Sequence, residues 1–232
     1  MPLDFEILGQ GVYTPSEAAR LIGGTPQQVL RWTRGSGASS PLWDAHFQFI
    51  ENSTEISFLD LIEIRVVEAM RRHGISLQAI RFAIKIAQEK YSIERPLASQ
   101  NFKADGQEIL MDAIEGDGEY VSLSSKRPGQ KVFRDIVAQS LKDLEYEGDT
   151  VARWRPMKFK QVVIDPTRFF GDPILDDSSI STSTIYAEFK IFGDVKYLSR
   201  IYEVPVSAIK QAIRFETSLE KAAERPNGQS PI

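Results

Sequence analysis

Two capped helix starts, eleven residues apart, constrain the N-terminal fold of this chain more than any other feature. The first reads Thr14-Pro15-Ser16-Glu17 and the second reads Thr25-Pro26-Gln27-Gln28. In each, threonine can cap the helix, proline occupies the first helical position, and the third residue after the cap completes a capping box. Gly23 and Gly24 stand between them, and glycine readily adopts the positive φ that ends a helix. The sequence therefore predicts two short helices joined by a tight turn.

The spacing of apolar residues gives both helices a common buried face. Ala18, Leu21 and Ile22 share this face in the first helix, and Val29 and Trp32 continue it in the second. The polar side chains of the second helix fall largely on the other side, which is the side that a recognition helix presents to DNA.

Three further elements follow the helix pair. Alternating apolar and polar residues around turn formers in 41–58 predict a small β-wing. Asp60 to Arg72 has helical apolar spacing and predicts an amphipathic helix, and Ser76 is placed to cap another. We assign residues 1–92 to this N-terminal domain.

This order of elements resembles a MerR-type winged-helix domain over roughly residues 10–90. The resemblance is carried by the runs YTPSEAARLIGGTPQQVLRW and FLDLIEIRVVEAMRRHGISLQAI. It implies that the second helix enters the major groove of double-stranded operator DNA. The wing has no arginine, and the chain has no cysteine, which excludes metal sensing of the best-known kind in that family. The DNA-binding residues expected from this reading are Thr25, Gln27, Gln28, Arg31, Arg34, Arg71 and Arg72.

Residues 93–160 predict a small mixed α/β segment. Asp-Gly and Gly-Asp-Gly sequences punctuate short apolar runs between 101 and 124, as in hairpins. Lys131 to Leu144 has the apolar spacing of a helix, and VARWRPMKF predicts a strand. The function of this segment stays open, with dimerisation and toxin contact as the two options.

The last third predicts a three-helix unit that begins with a hairpin. Short strands are expected at Gln161 to Ile164 and Pro173 to Leu175, followed by a helix from about Ser183 to Phe192. Gly193 turns the chain, Asp194 caps a second helix, and a third helix begins after Pro205. Four cations point outward and form a possible second DNA face or toxin face: Lys196, Arg200, Lys210 and Arg214.

Residues 160–216 resemble the family called domain of unknown function 433, which occurs in VapB-like antitoxins. The matching positions are Gly171, Pro173, Ile180, Gly193, Leu198, Tyr202, Val204, Ile209, Ala212 and Ile213. The family's usual Gly-Thr-Arg-Ile-Pro run is replaced by residues 177–181, where serine takes the place of arginine. We assign 161–217 to this trihelical helix-turn-helix domain and 218–232 to a flexible tail.

The two resemblances together imply an antitoxin of a type II toxin–antitoxin system. Such a protein binds a PIN-like ribonuclease toxin and represses its own operon, and a homodimer is expected. In VapB-like antitoxins a flexible end often covers the toxin's active site, and an arginine can pair bidentately with acidic groups. Arg225 is therefore a candidate toxin-binding residue.

Composition limits the other classes. The net charge is −4, and no third of the chain has more basic than acidic residues, so DNA affinity requires cations gathered on one face. Two histidines and no cysteine argue against a metal centre, and we expect no cofactor. No nucleophile–base set appears, so we expect no enzyme. No apolar run approaches a membrane span and no leader opens the chain, which favours the cytoplasm.

Two alternatives remain open. The first is a MerR-like regulator that senses a small ligand. Its effector pocket would lie in the middle segment and would be lined by Phe102, Tyr120, Phe133 and Trp154. The second is a protein-binding adaptor without DNA affinity. The fold class expected in all three cases is mainly α with small β elements.

Overall fold

The computed structural model describes residues 8–37, 39–100 and 139–223. Within these ranges the chain is mainly helical and carries two small antiparallel sheets, which confirms the predicted fold class in this coarse form. The turns predicted between 101 and 124, and most of the helix predicted for Lys131 to Leu144, lie outside the described residues. No helix in the described ranges is long and apolar enough to span a bilayer.

The two predicted N-terminal helices are present. Helix α1 spans Pro15–Ile22 and helix α2 spans Pro26–Arg34. Both capping boxes form, because each threonine side chain accepts from the backbone N–H three residues later and that residue's side chain accepts from the cap. Gly23 ends α1 with φ of 72°, in the left-handed region that glycine adopts without cost.

The β-wing prediction for residues 41–58 is wrong. This fully described segment contains turns and a 3₁₀ helix at His46–Phe49. It pairs with another part of the chain through a single β-bridge, between Tyr13 and Ile56. The reason lies in Asp60, at the start of the next helix. Its buried carboxylate accepts from the Trp43 indole N–H at 2.9 Å and from the His46 backbone N–H at 3.0 Å. These bonds hold the segment against the helix instead of leaving it as a free hairpin.

Two long helices form the centre of the N-terminal core. Helix α3 spans Phe58–Arg72, begins at the Ser57 cap, and is buried along most of its length. Helix α4 spans Leu77–Tyr91 and has the predicted cap at Ser76, which accepts from Ala79 N–H. A short 3₁₀ helix, Pro96–Ala98, packs against both.

One arginine pairs with two buried carboxylates of helix α3. Arg95 Nη1 lies 2.9 Å from Asp60 Oδ1 and 2.7 Å from Glu63 Oε2. Burial raises the pKa of Glu63 to about 7, since Arg95 opposes the shift only in part and Asp60 adds to it. Burial also pushes the pKa of Asp60 upward, but Arg95 and the hydrogen bonds from Ser57 and Trp43 outweigh it and leave a net lowering.

Two small sheets follow the undescribed segment. Strands β1, Leu144–Glu147, and β2, Thr150–Trp154, form an antiparallel hairpin. Strands β3, Val162–Val163, β4, Ile174–Leu175, and β5, Ile180–Ser181, form an antiparallel sheet in that order. Strands β3 and β4 lie within the predicted strand ranges, whereas the strand predicted for 151–159 is present only at residues 151–154, in β2. Strands β1 and β5 were not foreseen, and Leu144, predicted as the end of a helix, lies in β1. A bridge between Trp154 and Ile164 joins the two sheets.

The three predicted C-terminal helices are present. Helix α5 spans Thr182–Phe192, α6 spans Val195–Ile201 and α7 spans Val206–Ala223. Gly193 ends α5 with φ of 66°, and the Asp194 carboxylate accepts from two N–H groups at the start of α6, as predicted. Helix α7 continues without interruption through position 217 to Ala223.

The N-terminal and C-terminal helix units pack against each other. Arg20 of α1 forms an ion pair with Glu216 of α7, whose side chain is buried. The Tyr13 hydroxyl donates to the Gly171 carbonyl at 2.8 Å. Gly171 has φ of 86°, and a Cβ there would lie 2.1 Å from the Tyr13 hydroxyl oxygen, so this contact requires glycine.

Candidate functional site

The polar face of α2 is partly committed to holding the helix itself. The Gln28 side-chain oxygen accepts from the Thr25 backbone N–H at 2.8 Å and from the Thr25 hydroxyl at 3.1 Å. Only the Gln28 NH₂ group therefore remains available for a further contact. Gln27 and Arg31 are exposed on the same helix, and neither has a side-chain partner among the described residues. These two side chains form the unoccupied part of the predicted recognition face.

The other three predicted arginines bind backbone carbonyls. Arg34 donates to the Glu55 carbonyl at 3.2 Å, and Arg71 donates to the Ile75 carbonyl at 2.7 Å. Arg72 donates to the carbonyls of residues 22 and 23 at 3.2 and 2.9 Å and pairs with Glu68 at 2.9 Å. These arginines secure turns and helix ends, although exposed N–H groups of Arg71 and Arg72 can still meet another acceptor.

The positions of these arginines bracket α2 without forming one cluster around it. Arg72 lies at the Gly23 turn, just before α2 begins, and Arg34 is the last residue of α2. The segment that replaces the predicted wing adds carboxylates in place of cations, at Glu51 and Glu55. A hydrogen bond from Ser53 holds the pKa of Glu55 below its usual value, so this carboxylate stays ionised and repels phosphate.

The exposed face of α7 has a different charge pattern. Its members recur every three or four residues, include three cations and contain no carboxylate: Ser207, Lys210, Arg214, Ser218 and Lys221. We call this set the α7 stripe. None of its three cations has a hydrogen-bond or ion-pair partner within the part of the chain that the structure describes. The stripe is about 21 Å long, from the helical rise of 1.5 Å per residue.

Two further lysines lie beside the α7 stripe and were missed by the sequence analysis. Gln161 and Gln211 exchange two hydrogen bonds, from Gln161 N–H at 3.1 Å and from Gln211 Nε2 at 3.0 Å. The Phe159 ring packs edge-on against Phe215 with centroids 5.3 Å apart. These contacts hold the loop with the exposed residues Lys158 and Lys160 against α7. The Lys-Phe-Lys alternation was the available signal, because an anchored aromatic residue directs both flanking lysines outward.

The predicted second face of four cations is divided between two helices. Lys210 and Arg214 belong to the α7 stripe, whereas Lys196 and Arg200 are exposed on α6. Three large apolar side chains are exposed on α6 and the adjoining end of α5: Ile191, Phe192 and Ile201. We call these three residues the α5–α6 apolar patch. Ile191 keeps 75% of its surface exposed.

The Trp154 side chain makes contacts within the described fold. It is buried, its indole N–H donates to Asp143 at 2.9 Å, and the Arg65 guanidinium lies 4.6 Å from its ring centroid. These contacts make it part of the joint between α3 and the β1–β2 hairpin. The three other aromatic residues proposed for that pocket, Phe102, Tyr120 and Phe133, lie outside the described residues, as does Arg225. Within the described ranges no group of three histidine or acidic side chains is placed to hold a metal ion.

Comparisons with known proteins show a relative of nearly the same extent. The chain is 24% identical over 221 residues to a protein from Mycobacterium tuberculosis named "Putative antitoxin VapB45", which covers 87% of this chain and 92% of the relative. The crystal structure of Rv2018 from Mycobacterium tuberculosis is similar, with a TM-score of 0.70 and 25% identity over 87% of this chain and 96% of that one. No family model matches the chain.

Proposed function

We propose that this protein is the antitoxin of a type II toxin–antitoxin system. The observation that carries the proposal is the similarity to the antitoxin-named relative, because it spans both helix units and the middle segment and is not limited to one common motif. The matching solved structure supports a shared fold over 87% of this chain. The partner of an antitoxin is a toxin, and we expect a PIN-like ribonuclease encoded beside this chain.

The proposed function includes repression of the operon by the N-terminal helix pair. In this proposal α1 and α2 form a helix-turn-helix, and α2 lies in the major groove of operator DNA. Exposed Gln27 and Arg31 are suited to base edges, since glutamine pairs with adenine and arginine with guanine. Thr25 and Gln28 fix the start of the helix, and Arg71 and Arg72 are available for phosphates. A homodimer would place two copies of α2 about one DNA turn apart.

The toxin-binding surface that we propose is the α5–α6 apolar patch with its neighbouring cations. Ile191, Phe192 and Ile201 offer apolar area, and Lys196 and Arg200 complement the carboxylates of a PIN-like nuclease. The Phe192 ring rests against Tyr197 with centroids 5.1 Å apart, which holds the patch in place. Arg225 remains a proposed additional contact to the toxin's acidic centre.

Co-expression with the adjacent reading frame tests this proposal. The tagged full chain should co-purify with a PIN-like protein encoded beside it and should suppress both its ribonuclease activity and its toxicity to growth. If the two proteins are stable but neither associate nor affect each other's activity, the antitoxin function is excluded.

A pair of matched variants locates the toxin surface. Ile191→Ser combined with Ile201→Ser should reduce toxin binding at least tenfold, whereas Phe82→Ser, at another exposed apolar position, should leave it unchanged. Equal binding by both variants would place the toxin elsewhere on the chain. Arg225→Ala should weaken inhibition of the ribonuclease more than it weakens the complex.

A further inference from the structure

Most of the predicted N-terminal arginines already have acceptors within the fold. Arg34, Arg71 and Arg72 already bind carbonyl oxygens, and the segment after α2 carries Glu51 and Glu55. Backbone phosphates supply much of the affinity of a DNA-binding protein, and each contact needs a cation that is free to approach them. Of these arginines and Arg31, only Arg31 has no described partner, so we expect further phosphate contacts elsewhere on the chain.

The C-terminal unit has more cations without a described partner than the N-terminal unit has. Three of its arginines are paired within the fold: Arg153 with Asp165, and both Arg155 and Arg168 with Asp176. These pairs neutralise local carboxylates around the β-strands. The cations left without a described partner include the three of the α7 stripe, Lys210, Arg214 and Lys221, and the two loop lysines beside it.

The last turn of α7 also reaches the N-terminal helix pair. A Cβ at Gly23 would lie 3.0 Å from Arg72 Nη2 and 3.8 Å from Ala222 Cβ, so the last turn of α7 meets the turn between α1 and α2. The Arg20–Glu216 ion pair fixes α1 on α7 close by. The turn before α2 and the C-terminal end of α7, where Lys221 ends the stripe, are therefore neighbours in the fold.

We propose that the α7 stripe, with Lys158 and Lys160, is a phosphate-binding face that holds the backbone of duplex DNA. The inference rests on the proposed DNA-binding function. It assigns the sequence-independent part of the DNA affinity to the C-terminal unit. Helix α2 then reads bases with Gln27 and Arg31, while α7 and the Met157–Lys160 loop supply most of the neutralising charge. The rigid anchoring of the loop through Gln161 and Phe159 keeps its lysines beside Lys210 and Arg214.

Fluorescence anisotropy with the full chain tests this assignment. The probes are a duplex with the sequence upstream of the gene and a shuffled duplex of the same length and composition. Lys210→Gln combined with Arg214→Gln should weaken binding to both duplexes by about tenfold or more. It should also reduce the slope of log K against log salt by about 2, one for each lost phosphate contact. A matched control, Lys85→Gln combined with Lys142→Gln, should bind as the wild type does.

The same titrations separate this inference from the proposed function. Arg31→Ala should weaken binding to the upstream duplex alone and leave the salt slope nearly unchanged. If the wild type binds both duplexes and the Lys210/Arg214 variant matches the control, the inference is wrong while DNA binding stands. If the wild type binds neither duplex, alone or with its toxin, both fail. If the variant keeps DNA binding but loses the toxin, the face docks an acidic protein and the inference is overturned.

Discussion

The N-terminal and C-terminal helix units of this protein differ in how many of their positive charges are paired within the fold. In the first, Arg20, Arg72 and Arg95 lie against carboxylates or carbonyl oxygens of the fold. In the second, Lys210 and Arg214 stand on an exposed face without a described partner. Both units contain two helices joined by a turn. A cation that is already paired within the fold is less available to a ligand than an unpaired one. The charge of a helix face indicates binding only after its internal partners are known.

The largest effect that would test this comparison is expected at Arg95. Arg95→Met leaves Asp60 and Glu63 buried without their cation, and breaking a buried pair in this way costs about 3–5 kcal/mol. Urea unfolding followed by circular dichroism measures the loss. Arg81→Met is the matched control, since Arg81 binds two exposed-loop carbonyls and no carboxylate, and it should cost about 1 kcal/mol. Equal losses would show that the buried network has no special role.

A smaller effect of the same network is a pH dependence of stability. Glu63 has a pKa of about 7 in the folded protein, above its ordinary value, so the folded state holds a proton that the unfolded state has released. The free energy of unfolding should therefore fall as the pH rises from about 5 to 7, by at most about 1.4 kcal/mol per unit. The lowered pKa of Asp60 acts in the opposite sense, but only at more acidic pH.

Glu63→Gln isolates this contribution from that of every other titrating group. As the pH rises from 5 to 7, the wild type should lose unfolding free energy relative to the variant. A difference that is constant over this range would contradict the raised pKa of Glu63.

The smallest expected effect on the unfolding free energy is at the exposed cations of the C-terminal unit. Lys210→Gln combined with Arg214→Gln removes two exposed charges that make no contact within the described fold, so the unfolding free energy should change by no more than about 0.5 kcal/mol. Urea unfolding beside the wild type checks this. A loss of 2 kcal/mol or more would mean that these cations also stabilise the fold.

Local sequence rules predicted the helix pairs well because their signals are local. The capping boxes at Thr14 and Thr25, the Gly193 turn and the Asp194 cap all form as their sequence spacing indicates. The same rules failed for the wing, where Asp60 draws Trp43 and the His46 backbone onto α3. That network joins residues distant in sequence, and alternation of residue types does not reveal it.

The candidate site shows the same limit. The outward direction of Lys210 and Arg214 follows from helical periodicity, but the sequence gives no indication that Arg72 bridges back to the Gly23 turn. Nor does it show that the Met157–Lys160 loop is fixed to α7 by Gln161 and Gln211. Long-range hydrogen bonds decide which cations are free, and those bonds appear only once the chain is folded.

Lysine footprinting tests the division of charge between the two units most directly. The full chain is acetylated with and without the upstream duplex, and the reactivity of each lysine is measured by mass spectrometry. The account predicts strong protection of Lys158, Lys160 and Lys210 by DNA, with Lys85, Lys142 and Lys196 unchanged as internal controls. If bound DNA leaves Lys158, Lys160 and Lys210 as reactive as those controls, the C-terminal unit does not hold the DNA backbone.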